Sequence, residues 1–140
     1  MRIDRQRSRV YKWEDTHVAP CDKQVVPFCQ IQSIVNYVWK QEGLLFPPMV
    51  DKMPKQNHNG GDATRTMVRF REQTFTWLIL HELAHSMSST VDNKSNRHGV
   101  LFMGIYIQLL SRYLGMSFND LATSAEASGL HVKLDANPVF

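Results

Sequence analysis

The run His81-Glu82-Leu83-Ala84-His85 places a carboxylate between two imidazoles. On a helix, side chains four residues apart stand on the same face, about 6 Å apart along the axis. His81 and His85 can therefore bind one zinc ion, while Glu82 can act as a general base toward a water molecule at that metal. The chemistry that this pattern indicates is metal-dependent hydrolysis.

A catalytic zinc site takes three protein ligands and keeps one position for water, so a third ligand is needed. The extended motif H-E-x-x-H-x-x-G-x-x-H is broken, because Ser88 replaces its Gly and Val91 replaces its last His. A glutamate on the following helix is also excluded, since residues 86–125 contain no Glu. His98 is the best candidate, because it follows a polar, loop-like run and precedes an apolar segment.

These motifs resemble those of the SprT-like (Spartan-type) zinc metallopeptidases, in which H-E-x-x-H is followed by a polar loop and H-G-x-x-F. The resemblance covers roughly residues 66–114, and it implies a zincin-like fold with Zn²⁺ held by His81, His85 and His98 and with Glu82 as general base. The usual Pro after H-G is Val here, and the sequence contains no Cys-x-x-Cys zinc ribbon. The resemblance therefore implies a short, stand-alone form of phage or bacterial type.

The segment around H-E-x-x-H is predicted to be a largely buried helix. Residues 74–87 contain neither Pro nor Gly, and Thr74 or Thr76 could cap the first turn. Apolar side chains occur around much of its circumference, namely Trp77, Leu78, Leu80, Ala84 and Met87. Buried ionisable groups cost free energy unless they are paired or bound to a metal, which favours a metal centre over a solvated face.

The remaining elements predict an α+β fold with a small mixed or antiparallel sheet. Hydrophobic periodicity and end signals predict helices at 30–42, 99–114 and 117–127. Strands are predicted at 10–13, 49–53, 63–70 and 131–134, with a turn at 55–62. By the family resemblance, residues 64–70 are expected to be a free sheet edge that holds an extended peptide substrate.

The composition is that of one globular domain. Of the 140 residues, 43% are hydrophobic and 21% are charged. We predict a single domain over 1–140, with 1–9 as a flexible basic leader. No apolar run reaches the length of a membrane span, and no apolar stretch follows the basic N-terminus as it would in a secretory signal. These features predict a cytoplasmic protein.

Basic residues are concentrated near the N-terminus of a chain with a net charge of +3 and a pI near 9.0. The cluster comprises Arg2, Arg5, Arg7, Arg9 and Lys12. It could bind nucleic-acid phosphates, but the small excess of charge and the few interleaved aromatic residues favour a solvated terminus.

The two cysteines, Cys21 and Cys29, match no zinc-motif spacing and do not make a disulfide framework. Two buried thiols are expected, with a single bridge as the alternative.

Several other polar side chains could contribute to the site, and the sequence leaves them open. Tyr106 or Tyr113 could stabilise an oxyanion, although tyrosines on apolar helices usually belong to the core. His131 could reach the site from a C-terminal strand. Asp92 or Asp120 could accept a hydrogen bond from a ligand imidazole.

The sequence predicts a zinc-dependent metallopeptidase that hydrolyses peptide bonds with a metal-activated water and Glu82 as general base. The alternative is a non-catalytic zinc-binding module that docks a protein or DNA partner; an intact Glu82 argues against it, since a structural site needs no base. A hydrolase of non-peptide amides is a third possibility. The physiological substrate and the oligomeric state are left open.

Overall fold

A computed structural model describes residues 4, 6–56, 59–95 and 97–140 of the chain, so part of the predicted turn at 55–62 lies outside the described residues. The fold is α+β, as predicted. Its helices are α1 (Arg7–Trp13), α2 (Phe28–Gln41), α3 (Thr76–Met87), α4 (Val100–Leu114) and α5 (Phe118–Ala127). Its strands are β1 (Val25–Pro27), β2 (Met49–Lys52), β3 (Gly61–Ala63), β4 (Met67–Phe70) and β5 (Gln73–Phe75).

The larger sheet is mixed and has the strand order β2-β4-β3. β2 runs parallel to β4, while β3 runs antiparallel to it. β1 and β5 form a separate antiparallel pair that leads directly into α3. A small mixed sheet, one of the two forms that the sequence predicts, is therefore confirmed.

The strand predicted over 63–70 is instead two strands joined by a tight turn. Thr64 N donates to Met67 O (2.8 Å), and Thr64 Oγ1 accepts from Met67 N (3.1 Å), so the Thr64 side chain stabilises the reversal. β4 lies in the centre of the sheet and β3 lies at its edge. The prediction that 64–70 is the free edge is wrong, because the turn at 64–66 folds β3 onto the outer side of β4.

The core lies between α3 and α4, which are both apolar around most of their surface. Fully buried side chains on these two helices include Ile79, Leu80, Leu83, Met87, Phe102, Met103, Ile107 and Leu110. α2 packs against this core through Ile31, Val35 and Val38, which follow the helical repeat. Burial of this apolar surface is the main force that holds the motif helix in place.

Most helix ends follow the sequence signals. Gly43 and Gly115 end α2 and α4 at φ values of +74° and +67°, and Ser117 Oγ accepts from Asp120 N (3.2 Å) at the start of α5. At the start of α3, however, neither threonine provides the cap. Asp22 Oδ2 accepts from Trp77 N (2.8 Å) instead, which sequence proximity could not reveal.

The N-terminal segment differs from its prediction. Residues 10–13, predicted as a strand, belong to α1, because Val10 and Trp13 stand on one helical face and are both buried. The flexible leader predicted over 1–9 does not hold for residues 6–9, since Gln6 is only 8% exposed and 7–9 begin α1. Arg2 and Arg5 lie outside the described residues.

Residues 131–134, predicted as a strand, cross α4 without regular secondary structure. Lys133 N donates to Val100 O (3.1 Å), and Gln108 Nε2 donates to the carbonyls of Leu134 and Ala136. The segment approaches α4 closely because Gly104 has no side chain: a Cβ there would lie 1.8 Å from Lys133 O. Side-chain and helix contacts, rather than a neighbouring strand, therefore satisfy this backbone.

Cys21 and Cys29 are both free thiols, so no bridge joins them. The expectation that they are buried is wrong, since both lie on the surface. Among the described helices, none combines the length and the apolar character that crossing a membrane requires.

Candidate metal centre

The fold brings together the three histidines that the sequence singles out. His81 and His85 lie one turn apart on α3, and His98 lies just before the first turn of α4. The three side chains, hereafter the histidine cluster, offer ligand atoms that all lie within 4.8 Å of one another. Nε2 of His85 and Nε2 of His98 are 3.1 Å apart. One metal ion could therefore bind all three.

His81 is held by a buried carboxylate that sequence reasoning missed. Its Nδ1 lies 2.5 Å from Glu14 Oε2, and the Tyr106 hydroxyl donates to the same oxygen (2.6 Å). Because a carboxylate only accepts, Nδ1 carries the proton and Nε2 is left for a metal. Burial alone would lower the pKa of His81, but the Glu14 carboxylate raises it.

His98 has a similar partner in Asp4, whose Oδ2 lies 2.6 Å from His98 Nδ1. This contact likewise leaves Nε2 facing the cluster. Burial lowers the pKa of His98, although Asp4 opposes the effect. At neutral pH this favours the neutral imidazole, which is the form that binds metals.

His85 is oriented by packing. The Phe102 ring stacks on it with centroids 4.3 Å apart and an angle of 24° between the planes. Burial lowers the pKa of His85 well below its usual value, and His81 and His98 lower it further. Phe102, the phenylalanine of H-G-x-x-F, therefore packs against His85 of the preceding motif and orients its ring.

Glu82 lies beside the sheet edge. It is 4% exposed, and a Cβ on Gly61 of β3 would lie 3.1 Å from its Oε2. Burial raises the pKa of Glu82 to about 7, while His81 opposes the rise. A carboxyl group with a pKa near neutrality can both accept and return a proton at physiological pH.

An open cleft of about 410 Å³ runs past the histidine cluster and Glu82. Residues 61–64 form one wall and Tyr11 of α1 lies on another. The Tyr11 ring centroid is 5.3 Å from that of His98, and Arg7 also lines the cleft, with its guanidinium 5.6 Å from the Tyr11 centroid. Sequence reasoning missed Tyr11 because it treated this segment as a strand after a flexible leader.

The structure places the other candidate residues elsewhere. Tyr106 is fully buried and its hydroxyl is engaged by Glu14, so it is a core residue with a hydrogen-bonded tip. Tyr113 donates to Glu42 (2.5 Å). The described lining of the cleft includes none of the three further candidates, His131, Asp92 and Asp120. The carboxylates beside the clustered imidazoles are Glu14 and Asp4 instead.

Three imidazoles whose ligand nitrogens lie within 4.8 Å of one another form a donor set that fits zinc and the other transition metals that imidazole binds. Such a set leaves a coordination position for water or substrate. No protein-family model, curated protein or solved structure matches the chain.

Proposed function

We propose that the chain is a zinc-dependent metallopeptidase of the SprT-like, zincin type, which hydrolyses peptide bonds in an extended protein or peptide substrate. The observation that carries this proposal is the convergence of the histidine cluster and Glu82 on one open cleft. A closed structural zinc site would have no use for a buried carboxylate at its mouth or for space beside the metal.

His81, His85 and His98 would hold Zn²⁺ through their Nε2 atoms. When bound, the zinc supplies Lewis-acid polarisation of a carbonyl group and lowers the pKa of a water molecule. The hydrogen bonds to Glu14 and Asp4 set the tautomers of two ligands in advance, and Phe102 fixes the ring of the third.

Glu82 is the proposed general base. It accepts a proton from water as the water oxygen bonds to the peptide carbonyl carbon, and it returns that proton to the amine nitrogen as the C–N bond breaks. The raised pKa of Glu82, about 7, suits both transfers. Gly61 leaves room for the carboxylate beside the strand.

The free side of β3 is the proposed substrate-binding edge. Among the described residues β3 pairs with β4 alone, so the backbone groups of Gly61–Ala63 on the other side can pair with an extended peptide. Residues 61–64 also line the cleft beside Glu82. A peptide bound there would run past the proposed base.

Glu82→Gln tests the proposal. The variant should retain one zinc per chain by metal analysis, while hydrolysis of an unfolded protein substrate falls by roughly 10²–10⁴-fold, the usual contribution of general acid–base catalysis. Glu72→Gln is the matched control, because Glu72 is an exposed carboxylate paired with Lys52. It should keep wild-type activity.

Equal activity of Glu82→Gln and wild type would refute the proposed mechanism. Zinc binding without any peptide hydrolysis by the wild type would favour the non-catalytic module instead.

A further inference from the structure

Two of the three clustered histidines are contacted by carboxylates from a single stretch near the N-terminus. We call the described residues among 4–14 the N-terminal arm. Glu14 contacts Nδ1 of His81 across 67 residues of sequence, and Asp4 contacts Nδ1 of His98 across 94. The arm also lines the cleft through Tyr11.

Glu14 is fixed in place by the packing on either side of it. It lies in a π-helical turn (Glu14–Val18) that continues α1, and its side chain is 3% exposed. Val10, Trp13 and Val18 are buried around it, and Trp13 Nε1 donates to Ser124 Oγ (2.9 Å). A carboxylate so buried is costly unless charged or polar groups satisfy it, and His81 and Tyr106 do so here.

Asp4 is positioned through Gln6. The Gln6 side chain donates to His98 O (2.9 Å) and accepts from His131 N (2.6 Å), so it joins the arm to the segments before α4 and after α5. This holds the arm against the backbone of His98 itself. The Asp4 carboxylate then reaches the His98 ring.

We propose that Glu14 and Asp4 are positioning residues of the metal centre, and that docking of the N-terminal arm and metal binding reinforce each other. Each carboxylate fixes the tautomer and the ring orientation of one histidine so that its Nε2 faces the same point as that of His85. Because coupling between two binding events is reciprocal, a bound metal must hold the arm in place as strongly as the arm holds the metal. The inference rests on the metal-binding part of the proposed function and not on peptidase activity.

Zinc affinity of the full chain tests the positioning role. Competition with a chromophoric chelator should give a Kd that rises roughly 10–100-fold in Glu14→Gln and in Asp4→Asn, the usual effect of removing an outer hydrogen-bond partner. Asp15→Asn is the matched control, since it removes the same charge one residue after Glu14 from an exposed side chain. Its Kd should equal that of the wild type.

A purely structural carboxylate would give a different result. It would lower the thermal stability of the metal-free protein, but a folded variant would bind zinc with wild-type affinity. Circular dichroism of each metal-free variant identifies those that fold. Folded Glu14→Gln and Asp4→Asn proteins with wild-type Kd values would overturn the proposal.

The second part of the proposal, that a bound metal holds the N-terminal arm in place, can be tested with the wild type alone, even if a variant fails to fold. Arg7, Arg9 and Lys12 are exposed trypsin sites on α1. Saturating zinc should slow cleavage at these sites by roughly 10-fold or more, since cleavage requires the arm to open. Unchanged cleavage with zinc would contradict the coupling. Neither assay measures peptide hydrolysis, so an inactive protein would refute the proposed activity and leave this result intact.

Discussion

Gly61 lies so close to Glu82 that a Cβ at position 61 would be 3.1 Å from both Cγ and Oε2 of the glutamate. The same Cβ would lie 3.1 Å from Arg69 O in the neighbouring strand. The added atom is therefore confined between backbone and carboxylate, and the more mobile of the two is the Glu82 side chain. The absence of a side chain at Gly61 therefore determines which position the Glu82 carboxylate can occupy.

Gly61→Ala should reduce kcat roughly 10-fold while zinc content stays at one per chain, because small displacements of a catalytic group are costly. The measurement is peptide hydrolysis at saturating substrate, with metal analysis of the same sample. Gly60→Ala is the control: its Cβ would also lie at 3.1 Å, but from Leu78 Cδ2, the end of a side chain that can rotate away. Equal activity of the two variants would show that Glu82 tolerates the contact.

His98→Ala should weaken zinc binding by more than the roughly 10–100-fold expected for loss of an outer hydrogen-bond partner, since it removes a proposed ligand. Zinc should then no longer raise the thermal midpoint, whereas a ligand at 100 times its Kd stabilises the wild type by about 2.7 kcal/mol. His131→Ala is the control, because His131 is exposed and its contact with Gln6 uses the backbone. If His98→Ala kept wild-type affinity, the third ligand would have to be another residue.

Glu82 should contribute a loss of stability to the metal-free protein as the pH rises toward 7. Burial raises the pKa of Glu82 to about 7 in the folded state, so between its ordinary value and 7 the folded chain holds a proton that the unfolded chain has released. Stability is then present at low pH and falls as the pH rises through this window.

Urea unfolding in the presence of a chelator isolates this contribution. Glu82→Gln should be more stable than wild type by up to roughly 3 kcal/mol at about pH 8, and the difference should vanish at about pH 4. Glu72→Gln is the control, because it removes a carboxylate that is exposed rather than buried. A constant difference between Glu82→Gln and wild type at all pH values would mean that Glu82 titrates normally.

The parts of the site that the sequence predicts are those set by local periodicity. The spacing of His81 and His85 is a property of one helix, and the apolar repeat of α2 and α4 follows directly from the chain. These features need no knowledge of distant contacts. His98 is expected near them because it lies between the polar segment after α3 and the start of α4, but the structure also holds its ring through Asp4, which is distant in sequence.

The parts that the sequence could not predict depend on distant contacts. The Glu14–His81 pair joins residues 67 apart, and no local pattern marks Glu14 as a partner for an imidazole. Residues 10–13 have β-branched and aromatic side chains that favour a strand, but burial of Val10 and Trp13 on one face requires a helix. Tertiary packing determines both the Glu14–His81 pair and the helical conformation of residues 10–13. The intrinsic secondary-structure propensities of the residues do not reflect that packing.

Gly104→Ala should destabilise the protein, although alanine is the better helix former by up to about 1 kcal/mol. Its Cβ would lie 1.8 Å from Lys133 O and 2.9 Å from Ala136 Cβ, so the C-terminal segment would have to move off α4. That movement breaks the Lys133–Val100 backbone bond. We expect a net loss of roughly 1–3 kcal/mol, as for other overpacked sites, seen as a lower thermal midpoint and as faster tryptic cleavage after Lys133.

Gly115→Ala is the control that distinguishes the steric clash at position 104 from the effect of replacing a glycine as such. Gly115 has φ +67° but nothing within 4 Å of its Cβ position, so alanine there should cost about 1–2 kcal/mol through the left-handed backbone alone. Cleavage after Lys133 should remain slow in that variant. A Gly104→Ala protein that is more stable than wild type would show that helix propensity outweighs the contact, and that the C-terminal segment can leave α4 without cost.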